Sequence, residues 1–590
     1  MLIKRQNTLW GTSPAHYLAG ILIGLLVIIF FSIIVLSMVP PVSRDALTHH
    51  LAIPKLYLQQ GGIHEIPSIP FSYYPMNLDL LYMVPLYFGN DIIPKFIHFV
   101  FALLTAWLIY SYLKKRIDRL WALGGALFFL SLPIIVKLSI TVYVDLGLVF
   151  FSTASLMGLV KWIESRFQLK YLILSAFCCG LALGVKYNGL IVLFLLTVFV
   201  PLLYIQQAKT GAAGKTAISI KSSLKRQLRA VGFGILFCLI ALMVFSPWMI
   251  RNYIWKDNPV YPLYNSFFNP RKAAMAPGPG ARVKSDAENI MSPSNKKDSS
   301  PWGSFAIRKV LYGEAWWEIA LVPVRIFFQG RDDNPQYFDG KLNPFLFLLP
   351  IFAFFQMKMN PEEVKVEKKI LFSFAILFIL YAYFKVVMRI RYIAPAIPPL
   401  VILSTFGFYQ IHKNIARHWS QVGGQLYQIL VVMIAAVIFS FNAVYVIHQF
   451  KQVNPFSYIG GRVERDAYIT RYRPEYTVIQ YANGHLAADA KLLVLFMGNR
   501  SYYSDRELIF GNNLFLKIVK KADSAQAILS DLQQREFSHL LIRYDLFNNW
   551  MDKQFSDREK KMLKVFFDRD VRHLLSSKGY GLFELIDNRN

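Results

Sequence analysis

The chain has 590 residues, is 55% hydrophobic and 15% aromatic, and carries a formal net charge of +28. A mean hydropathy of +0.37 is outside the habit of soluble domains, and the length exceeds one ordinary domain. The positive charge does not mark a nucleic-acid binder. Lys and Arg gather at the ends of apolar runs, where they set topology and attract anionic headgroups, and no zinc-finger, RNA-recognition or helix-turn-helix signature is present.

The pattern predicts a polytopic α-helical membrane protein. Apolar runs of about 18–22 residues are long enough to cross a bilayer as helix. They predict about eleven spans, at 17–38, 92–113, 120–136, 143–162, 171–186, 189–206, 230–249, 342–358, 369–386, 392–411 and 426–448. Lys4 and Arg5 precede the first run, which is too long for a cleaved signal and is read as a spanning helix. Leu78–Gly89 is apolar too, but Pro85 and its shortness suit a buried or re-entrant helix better than a further span. Cys178, Cys179 and Cys238 all lie in apolar runs and read as packed membrane residues.

Basic clusters set the orientation. Lys4-Arg5, Lys114-Lys115-Arg116 and the six cations from Lys209 to Arg229 fall on one side of an eleven-span chain, which the positive-inside rule makes cytoplasmic. Loops 39–91 and 250–341 and everything after 448 then face outward. Lys137 and the Lys385–Arg391 group break the rule, as expected of cations that bind an anionic substrate group.

The first outward loop opens with Ser43-Arg44-Asp45-Ala46-Leu47-Thr48-His49-His50 and runs through Lys55 and Tyr57 to Ser72-Tyr73-Tyr74-Pro75. A carboxylate at the membrane edge among His, Lys and Tyr is costly unless it is used. Asp45 suits a general base that takes a proton from an acceptor hydroxyl. His49, His50, Lys55 and Tyr57 are near enough in sequence to steady a phosphate leaving group, and Tyr74 closes the same loop. On a regular helix Asp45 and His49 would share a face. A second acid, Asp145, sits in Tyr143-Val144-Asp145-Leu146 at the outer end of the fourth span. It either pairs with Lys137 or Lys186 as a bridge or assists the base and orients an acceptor. Lys186, Arg251, Arg389, Arg391 and Tyr392 end spans at the same outer level. Their convergence with two acids points to a site for an anionic lipid headgroup, against the plainer reading of headgroup snorkelling.

Loop 250–341 has a middle, Arg271–Pro301, rich in Pro, Gly, Ser, Asn and Lys that reads as mobile. It is flanked by Asn258-Pro259-Val260-Tyr261-Pro262 and Glu314-Ala315-Trp316-Trp317-Glu318. Trp302, Trp316 and Trp317 suit a helix at the interface, or a lid over a lipid-facing pocket. From Lys451 the composition becomes that of a soluble domain. Lys491–Met497, His539–Arg543 and Gly581–Ile586 read as strands, Tyr476–Leu486 and Ser524–Gln534 as helices. The chain thus divides into a membrane domain, 1–450, and a small extracytoplasmic α/β domain, 451–590. Structural support or acceptor docking is the expected role of the latter, since no glycine-rich nucleotide loop appears in it.

Taken together, the Asp45 loop, Tyr143-Val144-Asp145, Arg251-Asn252 with Asn258–Pro262, and Arg391-Tyr392 with Pro395 resemble the GT-C superfamily. Within it, the chain is most similar to the bacterial branch akin to protein mannosyltransferases and the lipid A aminoarabinose transferase. The resemblance covers about Met1–Phe450. It implies an integral membrane glycosyltransferase of the bacterial cytoplasmic membrane, acting on its outer face. The reaction implied is an inverting transfer, metal-independent or weakly metal-linked, from a polyprenyl-phosphate sugar donor to a lipid, glycan or protein acceptor. By the same resemblance Asp45 is the first-loop catalytic acid and Arg391 a donor-phosphate ligand. Two departures stand out: Ala46 replaces the second acid of many relatives, and Thr48-His49 stands where an Arg-Tyr pair often follows. No metal or other cofactor is expected; His49-His50 and His64-Glu65 have ligand side chains, but adjacent histidines usually point apart. Two other classes compete. A polyprenyl-linked glycan ligase or polymerase shares the donor, and a lipid or polysaccharide transporter explains the spans but predicts internal repeats and charges near the midplane.

Overall fold

A computed structural model of the chain describes residues 12–210, 220–270, 303–355, 361–385, 388–419 and 424–586. The basic Lys4-Arg5 pair, Lys215, Trp302 and the 271–301 stretch lie outside the described residues.

The protein is a polytopic helical membrane protein with a small C-terminal sheet domain. Among the described residues, seven helices can cross a membrane by length and apolar composition alone: His16–Ser37, Ile93–Arg116, Asp145–Glu164, Gly189–Gln206, Leu224–Lys256, Ile390–Ala416 and Ile429–Val453. They show large apolar side chains outward, such as Ile28 and Trp107, each 62% exposed, a display that suits lipid rather than water. The expected fifth span is the 17-residue helix Leu169–Val185, and the ninth falls in Glu362–Lys385.

Two expected spans differ from the reading by length. The run at 120–136 is two helices, Arg119–Ser131 and Pro133–Ser139, bent by 63°. Pro133 causes the break: it lacks an N–H, starts the second helix, and holds Leu132 extended at ψ 134, as the residue before a proline prefers. Among the described residues of the run at 342–358, which end at 355, the helix covers Phe345–Phe352. It packs so closely on the helix Ile397–Trp419 that a Cβ on Gly407 would come within 1.9 Å of the Leu349 carbonyl oxygen. Small residues allow such approach between membrane helices. Leu78–Gly89 contains one short helix, Asn77–Tyr87, with Pro85 inside.

The C-terminal domain holds one five-stranded sheet. Its strands are β1 (Lys491–Leu495), β2 (Glu507–Phe510), β3 (His539–Arg543), β4 (Val571–Ser577) and β5 (Tyr580–Leu585), in the order β2-β1-β3-β5-β4. β1 runs parallel to β2 and β3, whereas β5 is antiparallel to β3 and β4. Helices cover both faces, so β1 and β3 are buried throughout their centres, which is why they read as continuous apolar runs.

Candidate active site

The first loop follows the helix Thr12–Ser37. Its opening is not a regular helix. The Leu51 N–H donates to the Ala46 carbonyl at 2.9 Å, five residues back, so Ala46–His50 forms one wide π-type turn. Such turns insert a residue and commonly mark functional positions. The extra residue changes the expected facing of Asp45. Both imidazoles, rather than His49 alone, lie close enough to act on its carboxyl.

Asp45 accepts a hydrogen bond from Arg391 Nη1 at 2.5 Å. Burial by itself would raise the carboxyl, but the Arg391 guanidinium holds it well below the usual carboxylate range. The carboxyl is therefore ionised, and its charge is matched by a guanidinium that is 11% exposed. Arg391 also lies over the rings of Tyr143, at 5.2 Å, and Tyr392, at 5.3 Å. Its Nε has no partner within the protein.

On the other side of Tyr392 stands the second pair. Lys186 Nζ lies 5.4 Å from the Tyr392 ring and donates to Asp145 Oδ1 at 2.8 Å. Of the two bridges open to Asp145 in the sequence, the structure forms the one with Lys186. The second oxygen of Asp145 is buried and unpartnered. His98 fixes the start of the Asp145 helix: its Nε2 accepts from the Leu146 N–H at 2.9 Å, and its Nδ1 meets the Leu138 carbonyl at the same distance. The result is a row, Asp45–Arg391–Tyr392–Lys186–Asp145, with two cations flanking one aromatic ring. Beneath it Ala46, Leu78, Tyr82, Val142, Val144 and Ala182 share a buried apolar floor.

His50 and His49 line the other side of Asp45. His50 Nδ1 meets Asp79 Oδ1 at 2.7 Å in a buried contact. Burial pushes Asp79 up to about 7 and His50 down to about 3. His49 stacks on Phe71 with ring centroids 4.3 Å apart, and burial pushes it down to about 3. Both imidazoles are thus neutral near pH 7. What they can offer a phosphate is an N–H, not a charge; the Nδ1 of His49 has no partner.

A second cluster gathers Tyr57, Tyr74 and Arg251. Arg251 lies between the rings of Trp248 and Trp255, at 4.5 and 4.9 Å, and donates to the Tyr74 carbonyl at 3.1 Å. Its Nη1 is unpartnered, as is the hydroxyl of Tyr57, which is fully buried. Tyr74 packs on Tyr187 with centroids 5.2 Å apart. Tyr187 and Asn252 both bond the carbonyl of Tyr261, which ties the Asn258–Pro262 segment to this wall.

Lys55 and Arg389 are placed elsewhere. Lys55 Nζ spends its three donors on the C-terminal domain, reaching the Tyr502 and Ser504 carbonyls and Asp505 Oδ1 at 3.0, 2.9 and 2.8 Å. The same domain gives the Ser501 and Tyr502 N–H groups to the Leu47 carbonyl, both at 3.1 Å, and the Arg473 side chain to the Val42 carbonyl. It braces the Asp45 loop directly. Lys55→Met is expected to speed amide exchange at Ser501 and Tyr502, since removing a charged donor from three acceptors costs roughly 1–3 kcal/mol; unchanged protection would show that the brace does not depend on Lys55. Arg389 faces Asp339 at 3.9 Å. His64 and Glu65 do not face each other across a metal site: His64 Nδ1 meets the Gly62 carbonyl, and Glu65 accepts from Tyr73 and pairs with Lys256.

The short helix Trp316–Ala320 leaves Trp316 and Trp317 53% and 66% exposed. Its acidic neighbour Glu314 is buried and held by Arg308 and Arg325.

Comparison with known proteins gives the fold. A family described as dolichyl-phosphate-mannose-protein mannosyltransferase matches residues 68–256, a stretch that holds Asp79, Asp145, Lys186 and Arg251 but neither Asp45 nor Arg391. No curated protein matches the chain by sequence. Among solved structures, ArnT from Cupriavidus metallidurans in the apo state is similar with a TM-score of 0.53 at 12% identity, over 97% of this chain and 98% of that one. The same protein bound to undecaprenyl phosphate gives 0.52 at 13%, over 96% and 98%. The Archaeoglobus fulgidus oligosaccharyltransferase in its apo form gives 0.50 at 11%, over 90% of this chain and 71% of that one. The chain therefore shares the fold of ArnT. The likeness to ArnT also runs past the membrane part expected from sequence and takes in the C-terminal domain.

Proposed function

We propose that the protein is an inverting membrane glycosyltransferase that moves a sugar from a polyprenyl-phosphate carrier to an acceptor hydroxyl at the outer face of a bacterial cytoplasmic membrane. The observation that carries this reading is the ionised, Arg-paired Asp45 placed one aromatic ring away from a second acid–cation pair. Asp45 takes the proton of the acceptor hydroxyl as its oxygen bonds to the anomeric carbon. The bond from that carbon to the phosphate oxygen breaks on the opposite side, and the polyprenyl phosphate leaves with the electron pair. A phosphate is a weak base and needs charge stabilisation, not protonation, and Arg391 and Lys186 supply it. The chemistry calls for no cofactor.

Arg391 cannot serve Asp45 and the phosphate fully at once. Donor binding draws the guanidinium toward the phosphate and leaves Asp45 the stronger base, so the nucleophile is activated only when a donor is present. Asp145 then keeps Lys186 aligned beside the same phosphate. The Tyr57, Tyr74 and Arg251 cluster is assigned to substrate contact, its free Nη1 and hydroxyl being donors suited to sugar or acceptor oxygens. The acceptor is a lipid-linked molecule, a glycan or a protein. Radiolabelled transfer in membranes, with a panel of polyprenyl-phosphate sugars as donors, tests the reading. Label is expected in an acceptor with one donor of the panel. Label that crosses the bilayer unchanged with every donor would overturn the proposal and favour a transporter.

A further inference from the structure

Lys137 breaks the positive-inside pattern, yet it does not reach the site. It sits on the short helix Pro133–Ser139 created by the bend at Pro133. Its Nζ lies 3.3 Å from Asp332 Oδ1, 3.5 Å from Asp333 Oδ1 and 3.4 Å from Asp339 Oδ1. Three carboxylates therefore share one ammonium, which is 17% exposed. Asp332 also accepts from Tyr445 at 2.5 Å, and Asp339 faces Arg389. Without a central cation Asp332 and Asp339, 16% and 22% exposed, would repel one another across a few ångströms with little screening, whereas Asp333, 75% exposed, is screened by solvent.

The acids are the two ends of one tight turn. The Asp333 N–H donates to Asp339 Oδ1 at 3.1 Å, and the Gly340 N–H to the Arg331 carbonyl at 3.1 Å. The turn is wedged between the Lys137 helix and the Arg391 segment: a Cβ on Gly340 would lie 3.1 Å from Ile390 Cβ and 3.2 Å from Ile134 Cδ1. Its Phe338 carbonyl accepts the Ile390 N–H at 2.9 Å. The next residue is Arg391, whose guanidinium holds Asp45.

We infer that Lys137 is a positioning residue for Arg391: its ammonium closes the Asp332–Asp333–Asp339 turn, and the turn's backbone fixes the segment that presents Arg391 to Asp45 and the donor phosphate. The inference rests on the proposed role of Arg391 as the phosphate ligand. Its signature is electrostatic, because a free cation of similar size can replace the ammonium once the side chain is removed.

Equilibrium binding of undecaprenyl phosphate to the full-length protein in detergent separates the outcomes. If the wild type does not bind the probe, the donor reading itself falls, and this inference with it. If the wild type binds, Lys137→Ala is expected to bind about tenfold more weakly, Lys137→Arg close to the wild type, and ethylammonium to restore the Ala variant. In transfer assays the same change should fall on donor KM and leave acceptor KM in place. Asp339→Asn approaches the cluster from the other side; it should weaken binding without rescue by ethylammonium, and it serves if the Ala variant does not fold. Wild-type affinity in both Lys137→Ala and Asp339→Asn would overturn the inference. So would weakening in Lys137→Ala and Lys137→Arg alike that ethylammonium leaves untouched, which would make Lys137 a packing residue.

Discussion

Asp45→Asn is expected to lower sugar transfer by about 10²–10⁴-fold, the usual worth of a positioned general base, while the protein still folds. The variant should also bind polyprenyl phosphate at least as tightly as the wild type. Asp45 engages Arg391 at 2.5 Å in the free site, and a neutral amide competes less for the guanidinium, so more of its charge is available to the phosphate. Loss of turnover with donor binding kept or strengthened is a pattern that general unfolding cannot produce. It is read by transfer rates beside equilibrium binding. Normal turnover in Asp45→Asn would remove Asp45 from the role of base.

Arg391→Gln is the second large effect, and its sign depends on pH. Burial pushes the Asp45 carboxyl up, and the Arg391 guanidinium is the strongest charge holding it down. Without that charge the carboxyl rises. A base must be ionised to act, so activity is lost as pH falls through the raised value. The wild type should show no acidic limb from Asp45 over the range in which the protein is stable. Arg391→Gln should show one shifted toward neutral pH. At its alkaline plateau the variant should still be about 10²–10³-fold slow, from loss of charge stabilisation on the departing phosphate. A pH profile of kcat/KM distinguishes the two effects. A uniform loss with an unchanged profile would mean that Arg391 touches the phosphate but does not govern Asp45.

Much of the site was legible because charge in an apolar setting is expensive and therefore informative. Asp45, Asp145, Lys186 and Arg391 were all singled out from their surroundings in the sequence, and the structure brings all four to one row. What escaped notice was whatever depended on distant partners. Asp79 sits in an apolar run and reads as an incidental acid until His50 is placed against it, 29 positions away in sequence. His98 looks like an ordinary core histidine; only the fold shows it bonding Leu146 across 48 positions. Lys55 misleads in the opposite direction. It lies ten residues from Asp45, yet Asp505 captures it from 450 positions away, so nearness along the chain was a poor guide to function.

The fold shows the same division. Long apolar runs located the helices, but the 63° bend at Pro133 and the brevity of Phe345–Phe352 are set by a proline break and by close packing at Gly407, which a hydropathy window averages away. In the C-terminal domain the buried strands β1, β3 and β5 were readable as apolar runs. The edge strands β2 and β4 were not: only two of their eleven positions are buried, so their composition resembles that of loops.

The brace between the C-terminal domain and the first loop also sets a timetable. Lys55 leaves the ribosome 450 residues before Asp505, and at about 5–20 residues per second that gap lasts roughly 20–90 s. Throughout it the loop bearing Asp45 is in place but lacks the Leu47, Val42 and Lys55 contacts that hold it. A nascent chain therefore carries the Asp45 loop without its brace until its last quarter has been made and has folded back on its first tenth.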